Sequence, residues 1–315
     1  MAGMSSLSQS KRTSSRLAAI AESATLAVDA KAKALKAAGE NVIGFGAGEP
    51  DFPTPEHIVE AAVRACRDPK MHRYTPAAGL PELREAIAVK TMRDSGFQTT
   101  ANQVLVTNGG KHAVFTAFAA LCDPGDEVIV PPWTMCASAT AILHWNAIPV
   151  FADIDPQTYC ISPASIEANI TPYTKAIMAV DIFGQSADMD AIMDIAKRHG
   201  LKVISDTAQA PGALYKGQYA GTLADVGGFS LNYHKHIHTG EGGILVTNDD
   251  EIAQRLQLIR NHAEAVVQGM GVTDLTNMVG YNFRLGEIEC AMGISQLKKL
   301  GYFVDGRQHV ADRFN

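Results

Sequence analysis

Residues 175–206 read KAIMAVDIFGQSADMDAIMDIAKRHGLKVISD, and their pattern decides the fold. An apolar, strand-like run (KAIMAVDIF, 175–183) is followed by an amphipathic helical segment (DMDAIMDIAKRHG, 188–200) and a second short strand (KVISD, 202–206). Two strands joined through a helix are a parallel crossover unit, because a parallel pair needs a long connection.

The same alternation extends upstream. VLVTNGG (104–110) precedes the helical KHAVFTAFAALC (111–122); EVIVPP (127–132) precedes TMCASATAILHW (134–145); IPVFADI (148–154) precedes SPASIEANI (162–170). Downstream the order turns strand-rich, with DVGGFSLN (225–232) and GGILVTND (242–249). The helical DEIAQRLQLIRNH (250–262), a less regular loop at 263–279 and the helical FRLGEIECAMGISQLKKL (283–300) follow. Near the start, the alanine-rich segment 15–39 predicts a helix stopped by Gly39. The expectation is an α/β protein, a three-layer α/β/α sandwich with a mostly parallel sheet.

Composition narrows the function. The 315 residues are 46% hydrophobic and 19% charged, enough for a large core. A formal net charge of −6 gives no footprint for nucleic acid or an anionic membrane surface. Five scattered cysteines (Cys66, Cys122, Cys136, Cys160, Cys290) contain no CxxC pair, which fits thiols in a reducing, cytoplasmic setting. The opening MAGMSSLSQSKRTSSRLAAI has no continuous apolar region, so it reads as a flexible lead-in, and no membrane-spanning run is expected.

The stretch SLNYHKHIHTGEGG (230–243) admits two chemistries. On a strand, His234, His236 and His238 would share one face and offer imidazoles to a metal. Alternatively Lys235 is the working group. Asp206 ends a predicted strand, where ligands of such sheets bind, and a carboxylate there can stay ionised and hold a pyridine nitrogen protonated. A lysine in the same cleft can form a Schiff base. Gly109 and Gly110, between a strand and a helix, offer backbone N–H groups to a phosphate. The order glycine turn, strand-end Asp, then Lys favours the lysine, with no metal.

These motifs carry a family resemblance. PVFADID, KAIMAVDIFGQSADMD, ISDTAQAPGA, FSLNYHKHIHTGEGGILVTND and GYNFRLGEIECAMGISQLKKL make residues 128–315 resemble the DegT/StrS sugar aminotransferases, which use pyridoxal 5'-phosphate. The resemblance implies Lys235 as the Schiff-base lysine, Asp206 at the pyridine nitrogen, Gln209 on the 3-hydroxyl side and Ser230 on the phosphate. It implies that Asn282 of the GYN motif reaches the phosphate of a neighbouring subunit, hence a homodimer with shared active sites.

Residues 15–131 are instead similar to the aspartate aminotransferase branch of the same fold. The matching stretches are SATLAVDAKAKALKAAG, VIGFGAGEPDFPTPEHIVEAA, HRYTPAAGLPELREAI and VLVTNGGKHAVFTAFAALCDPGDEVIVPP. This implies Tyr74 on the other subunit's phosphate, Gly110 and Lys111 holding phosphate through their backbone, and Trp133 stacked on the cofactor ring. Met135 occupies the stacking position by the DegT/StrS pattern. Gly46–Gly48 would lie near the substrate carboxylate.

The two patterns meet near 125–133. The expected organisation is an N-terminal arm and helix (1–50), a large cofactor-binding domain (51–300), and the start of a truncated small C-terminal domain (301–315). The implied activity is amino transfer from glutamate or glutamine to a keto-sugar or similar carbonyl acceptor. Transfer between aspartate and 2-oxo acids, and a non-catalytic protein of the same fold, are the alternatives. Other assignments stay open: Lys111 as a solvated first-turn residue, Tyr74 as a packing ring, and Asn282 as a helix cap.

Overall fold

The computed structural model describes residues 24–44, 53–263 and 280–314. The expectations for the N-terminal lead-in, for Gly46–Gly48 and for most of the 263–279 loop lie outside those residues. The chain divides into two compact units, Met1–Phe52 and Pro53–Asn315. In the first, helix α1 (Ala24–Ala37) carries an Asp29–Lys33 ion pair at 2.8 Å. Gly39 beyond it has φ of 88°, the left-handed conformation that ends helices.

In the second unit α2 (Glu56–Arg67) and α3 (Pro81–Ser95) precede the sheet. Then come β1 (Val104–Thr107), α4 (Gly110–Leu121), β2 (Glu127–Val130), α5 (Ala137–Leu143), β3 (Ile148–Phe151) and α6 (Pro163–Ala168). The opening stretch becomes β4 (Thr174–Val180), α7 (Met189–His199) and β5 (Lys202–Asp206). Asp188 caps α7 by accepting from the Ala191 N–H at 3.4 Å, and Gly200 ends it with φ of 67°. A small hairpin, β6 (Leu214–Tyr215) and β7 (Gln218–Tyr219), leads to β8 (Val226–Ser230), β9 (Gly243–Val246), α8 (Asp250–Arg260), α9 (Glu287–Leu297) and α10 (Leu300–Phe314).

The seven strands of the main sheet are ordered β1-β9-β8-β5-β4-β2-β3. All run parallel except β9, which pairs antiparallel with both β8 and β1. The alternation of β1 and β9 shows how both sheet faces are covered. Val104, Val106, Ile244 and Val246 pack with Leu83 and Ile87 of α3 and Cys290 of α9. Leu105 and Leu245 face the other way, into the cluster holding Val114 and Phe118 of α4. That is the expected α/β/α layering. Burial on both faces explains why β1, β2 and β9 are apolar runs without polar alternation. Among the described residues no helix is long and apolar enough to cross a membrane.

Candidate active site

The carboxyl ends of β5 and β8 and the start of α4 converge on one cavity of about 390 Å³. Nine residues singled out from the sequence line it: Gly109, Gly110, Lys111, Met135, Asp206, Gln209, Ser230, His234 and Lys235.

Asp206 is the last residue of β5. Its Oδ2 accepts from Ser138 Oγ at 3.0 Å and its Oδ1 from the Ala208 N–H at 3.2 Å. The sequence reading placed this carboxylate in the open cleft. The side chain lines the cavity and is partly buried, and burial raises its pKa despite those bonds and the Lys235 charge. Lys235 is half-buried, its N–H donating to the Asn232 carbonyl at 2.9 Å. Burial lowers its pKa, the Lys111 charge adds to this, and Asp206 opposes it.

The phosphate-type half of the cavity is made by close approach. Gly109 leads into α4 without any side-chain cap, so first-turn N–H groups are open to an anion. A Cβ on Gly110 would stand 2.7 Å from Ser230 Cβ, so only glycine lets the helix start meet the end of β8. Ser230 Oγ accepts from the Asn232 N–H at 3.3 Å, which leaves its own hydrogen to donate. Gln209 uses Oε1 to accept from the Phe183 N–H at 3.2 Å.

Three residues singled out from the sequence lie elsewhere. Met135, and not Trp133, lines the cavity; the indole sits two residues earlier in the β2–α5 turn and is half-exposed. Tyr74 is 86% exposed, with the Arg284 guanidinium 4.6 Å over its ring. Asn282 is exposed and forms an isolated antiparallel bridge with Asn261. The cap alternative for Asn282 fails, because α9 starts five residues later, at Glu287, with Gly286 at its N-cap. The shared face proposed for His234, His236 and His238 also fails: the segment is a turn, where alternation does not hold. Among the described residues no three His, Cys, Asp or Glu side chains are grouped to hold a metal ion.

Sequence reasoning missed the supporting groups. Asp181, just after β4, is fully buried and accepts from Ser205 Oγ at 2.8 Å, Thr207 Oγ1 at 2.7 Å and the Ala187 N–H at 3.0 Å. Its own N–H donates to the Asp206 carbonyl at 3.0 Å, tying the two strand ends together. The signal was present: MAVD ends a strand just as VISD does. His112 lines the cavity, with Nδ1 accepting from the Asn108 N–H at 3.2 Å and the ring edge-on to Phe283 at 4.4 Å.

Two imidazoles make stability depend on pH. Burial pushes both His112 and His236 down to about 4 from 6.5, helped by Arg260 at the first and Arg307 and Lys235 at the second. A depressed pKa means the unfolded chain takes up protons first. Each therefore contributes stability that is present above pH 6.5 and lost as pH falls toward 4. We expect thermal unfolding midpoints to fall across that window, and His112→Asn, which keeps the acceptor facing Asn108, to flatten the fall.

The chain is similar to several known aminotransferases. An aspartate aminotransferase of Streptomyces avermitilis is 59% identical over 54% of this chain and 42% of its own length. A UDP-N-acetyl-3-dehydro-alpha-D-glucosamine 3-aminotransferase of Acidithiobacillus ferrooxidans is 43% identical over 64% of this chain and 54% of its own. The crystal structure of an aminotransferase from Psychrobacter cryohalolentis superposes with a TM-score of 0.68 at 32% identity, covering 80% of this chain and 63% of that one. The chain thus spans about half the length of those two curated relatives. The family model for DegT/DnrJ/EryC1/StrS aminotransferases matches residues 97–315, beginning well ahead of the 128 expected from the motifs. The Asp206–Lys235 cavity therefore sits within a chain that belongs to the DegT/DnrJ/EryC1/StrS aminotransferase family.

Proposed function

We propose that this chain is a pyridoxal 5'-phosphate-dependent aminotransferase that takes an amino group from glutamate or glutamine and delivers it to a keto-sugar or similar cyclic ketone. The observation that carries the reading is the convergence of Lys235, Asp206, Ser230 and Gly110 on a single cavity. We place the protein in the cytoplasm as a homodimer. Tyr74 and Asn282, exposed and outside their own cavity, support a role toward the partner subunit's site.

The residues present fit the cofactor. An uncapped helix start, a glycine with no room for a side chain and a serine hydroxyl suit a phosphate. A buried carboxylate suits a cationic ring nitrogen, and an amine of lowered pKa suits a carbonyl carbon. When bound, the cofactor supplies an electrophilic carbonyl and a ring that stores negative charge.

Each residue then has a task. Asp206, positioned by Ser138 and the Ala208 N–H, holds a proton at the ring nitrogen. Lys235 would hold the group through Nζ and, when free, would act as the base that takes the proton from the donor's α-carbon. Ser230 and the first turn of α4 grip the phosphate. Met135 and Gln209, which line the same cavity, would hold the ring and its 3-hydroxyl side.

A second reading, transfer between aspartate and 2-oxo acids, is supported by the aspartate aminotransferase resemblance. One experiment separates them. The cofactor-loaded protein is mixed with glutamate, glutamine or aspartate, and conversion of the cofactor to its amine form is followed by absorbance. UDP-N-acetyl-3-dehydro-alpha-D-glucosamine or oxaloacetate is then added. We expect glutamate or glutamine to convert it and the keto-sugar to reverse it. Conversion by aspartate with reversal by 2-oxo acids alone would establish the second reading. No conversion by any donor would leave a non-catalytic protein.

A further inference from the structure

Two exposed aromatic rings, Phe183 and Tyr159, stand outside the core, and both are held there against backbone preference. Phe183 has φ of 55° and Tyr159 has φ of 60°, a region bulky residues rarely adopt. The strain does not serve packing, since Phe183 is 68% and Tyr159 47% exposed. Their rings meet edge-to-face with centroids 6.5 Å apart.

Phe183 reaches the cavity through its backbone, whose N–H is bonded to the Gln209 side chain that lines it. Both supporting loops are tied by hydrogen bonds. Around Phe183, the Gln185 N–H donates to the Ile182 carbonyl at 2.8 Å and the Ala187 N–H to buried Asp181 at 3.0 Å. Around Tyr159, Asp155 Oδ1 accepts from the N–H groups of Gln157 and Thr158 at 2.9 and 3.0 Å. Buried Cys160 joins the two loops, Sγ donating to the Gln185 carbonyl at 3.5 Å.

Strained, exposed aromatic rings on hydrogen-bonded loops, one of them bonded to a cavity-lining side chain, offer a preorganised apolar surface. A ring offers its face to a flat array of C–H groups, which a cyclic polyhydroxy ketone has and an open-chain 2-oxo acid lacks. We propose that Phe183, buttressed by Tyr159, is the platform on which the carbohydrate ring of the acceptor stacks, so that it selects cyclic acceptors over open-chain ones. This rests on the transaminase reading and deepens it.

The test uses the full chain loaded with pyridoxal 5'-phosphate and converted to the amine form by glutamate or glutamine. Return by UDP-N-acetyl-3-dehydro-alpha-D-glucosamine, by scyllo-inosose and by pyruvate is timed separately. In Phe183→Ala we expect return by both cyclic ketones to slow on the order of 10- to 100-fold. The donor step and return by pyruvate stay within about 2-fold, and Phe183→Trp retains the cyclic rates. Phe183→Gly, which accepts the left-handed backbone, is expected to lose the cyclic rates while unfolding at or above the wild-type temperature. Equal slowing of every step, slowing of none, or slowing with the UDP-sugar but not scyllo-inosose overturns the platform alone. So does a wild type returned by pyruvate but by neither cyclic ketone. A wild type converted by no donor overturns the transaminase reading, and the platform with it.

Discussion

Lys235→Ala is expected to remove the absorbance band of lysine-bound cofactor and to lower the transamination rate by at least about 10²–10⁴-fold. Two losses combine. The amine that holds the cofactor is gone, and so is the group that moves the proton from the donor carbon. Nothing nearby replaces it. Lys111 also lines the cavity, but it is an exposed first-turn residue of α4, and it is Lys235 that shares the field of the strand-end carboxylate. Stability is expected to change little or to rise, because a half-buried amine with a lowered pKa costs energy to keep charged. A small amine such as methylamine is expected to restore part of the proton-transfer rate. Partial rescue separates a chemical loss from a folding defect.

Asp206→Asn carries the second large effect, a fall in kcat on the order of 10²–10³-fold with a smaller change in KM for the donor. The amide cannot hold the ring nitrogen protonated, so charge stored in the ring is left without its counter-ion. The same change is expected to stabilise the cofactor-free protein near neutral pH. The sign follows from linkage. Burial raises the Asp206 pKa, so the folded state binds this proton more tightly than the unfolded chain does. Stability from the protonated form is present below the ordinary carboxylate range and is lost as pH rises through the folded pKa. Asparagine mimics the protonated state at all pH values, so its advantage in unfolding temperature is expected at neutral pH and absent in acid. A function lost with stability gained marks Asp206 as a carboxylate kept for chemistry.

Much of this arrangement is legible in the sequence. Short apolar runs separated by amphipathic segments predict β1 to β5 and their helices, because a doubly covered parallel sheet leaves strands no polar face. The ends of those runs mark the site, since strands of such a sheet deliver their last residues to one edge. Asp206 is of that kind, whereas Ser230 is legible only through the family resemblance. Gly110 is legible as a turn residue, but only the 2.7 Å approach to Ser230 Cβ explains why no side chain fits.

What was not legible depends on geometry across long separations. That β9 alone runs antiparallel, between β1 and β8, is set by contacts more than 100 residues apart along the chain on the β1 side. The two family patterns offer Trp133 and Met135 for the stacking position, and the orientation of the β2–α5 turn decides which of them faces the cavity. Asp181 and Ser138 support Asp206 through side-chain hydrogen bonds that spacing along the chain does not encode. The three histidines promised a strand face because they fall on alternate residues. The turn leading into the glycines breaks that alternation, and Lys235 is the group it brings to the cavity.

The most direct test of the central claim is to trap the bond. The full chain is incubated with pyridoxal 5'-phosphate, reduced with borohydride, digested and mapped by mass spectrometry. The prediction is one pyridoxyl adduct, on the peptide containing Lys235, and none after Lys235→Ala. An adduct mainly on Lys111 or another lysine, or no adduct at saturating cofactor, would contradict the assignment of this cavity as the catalytic site.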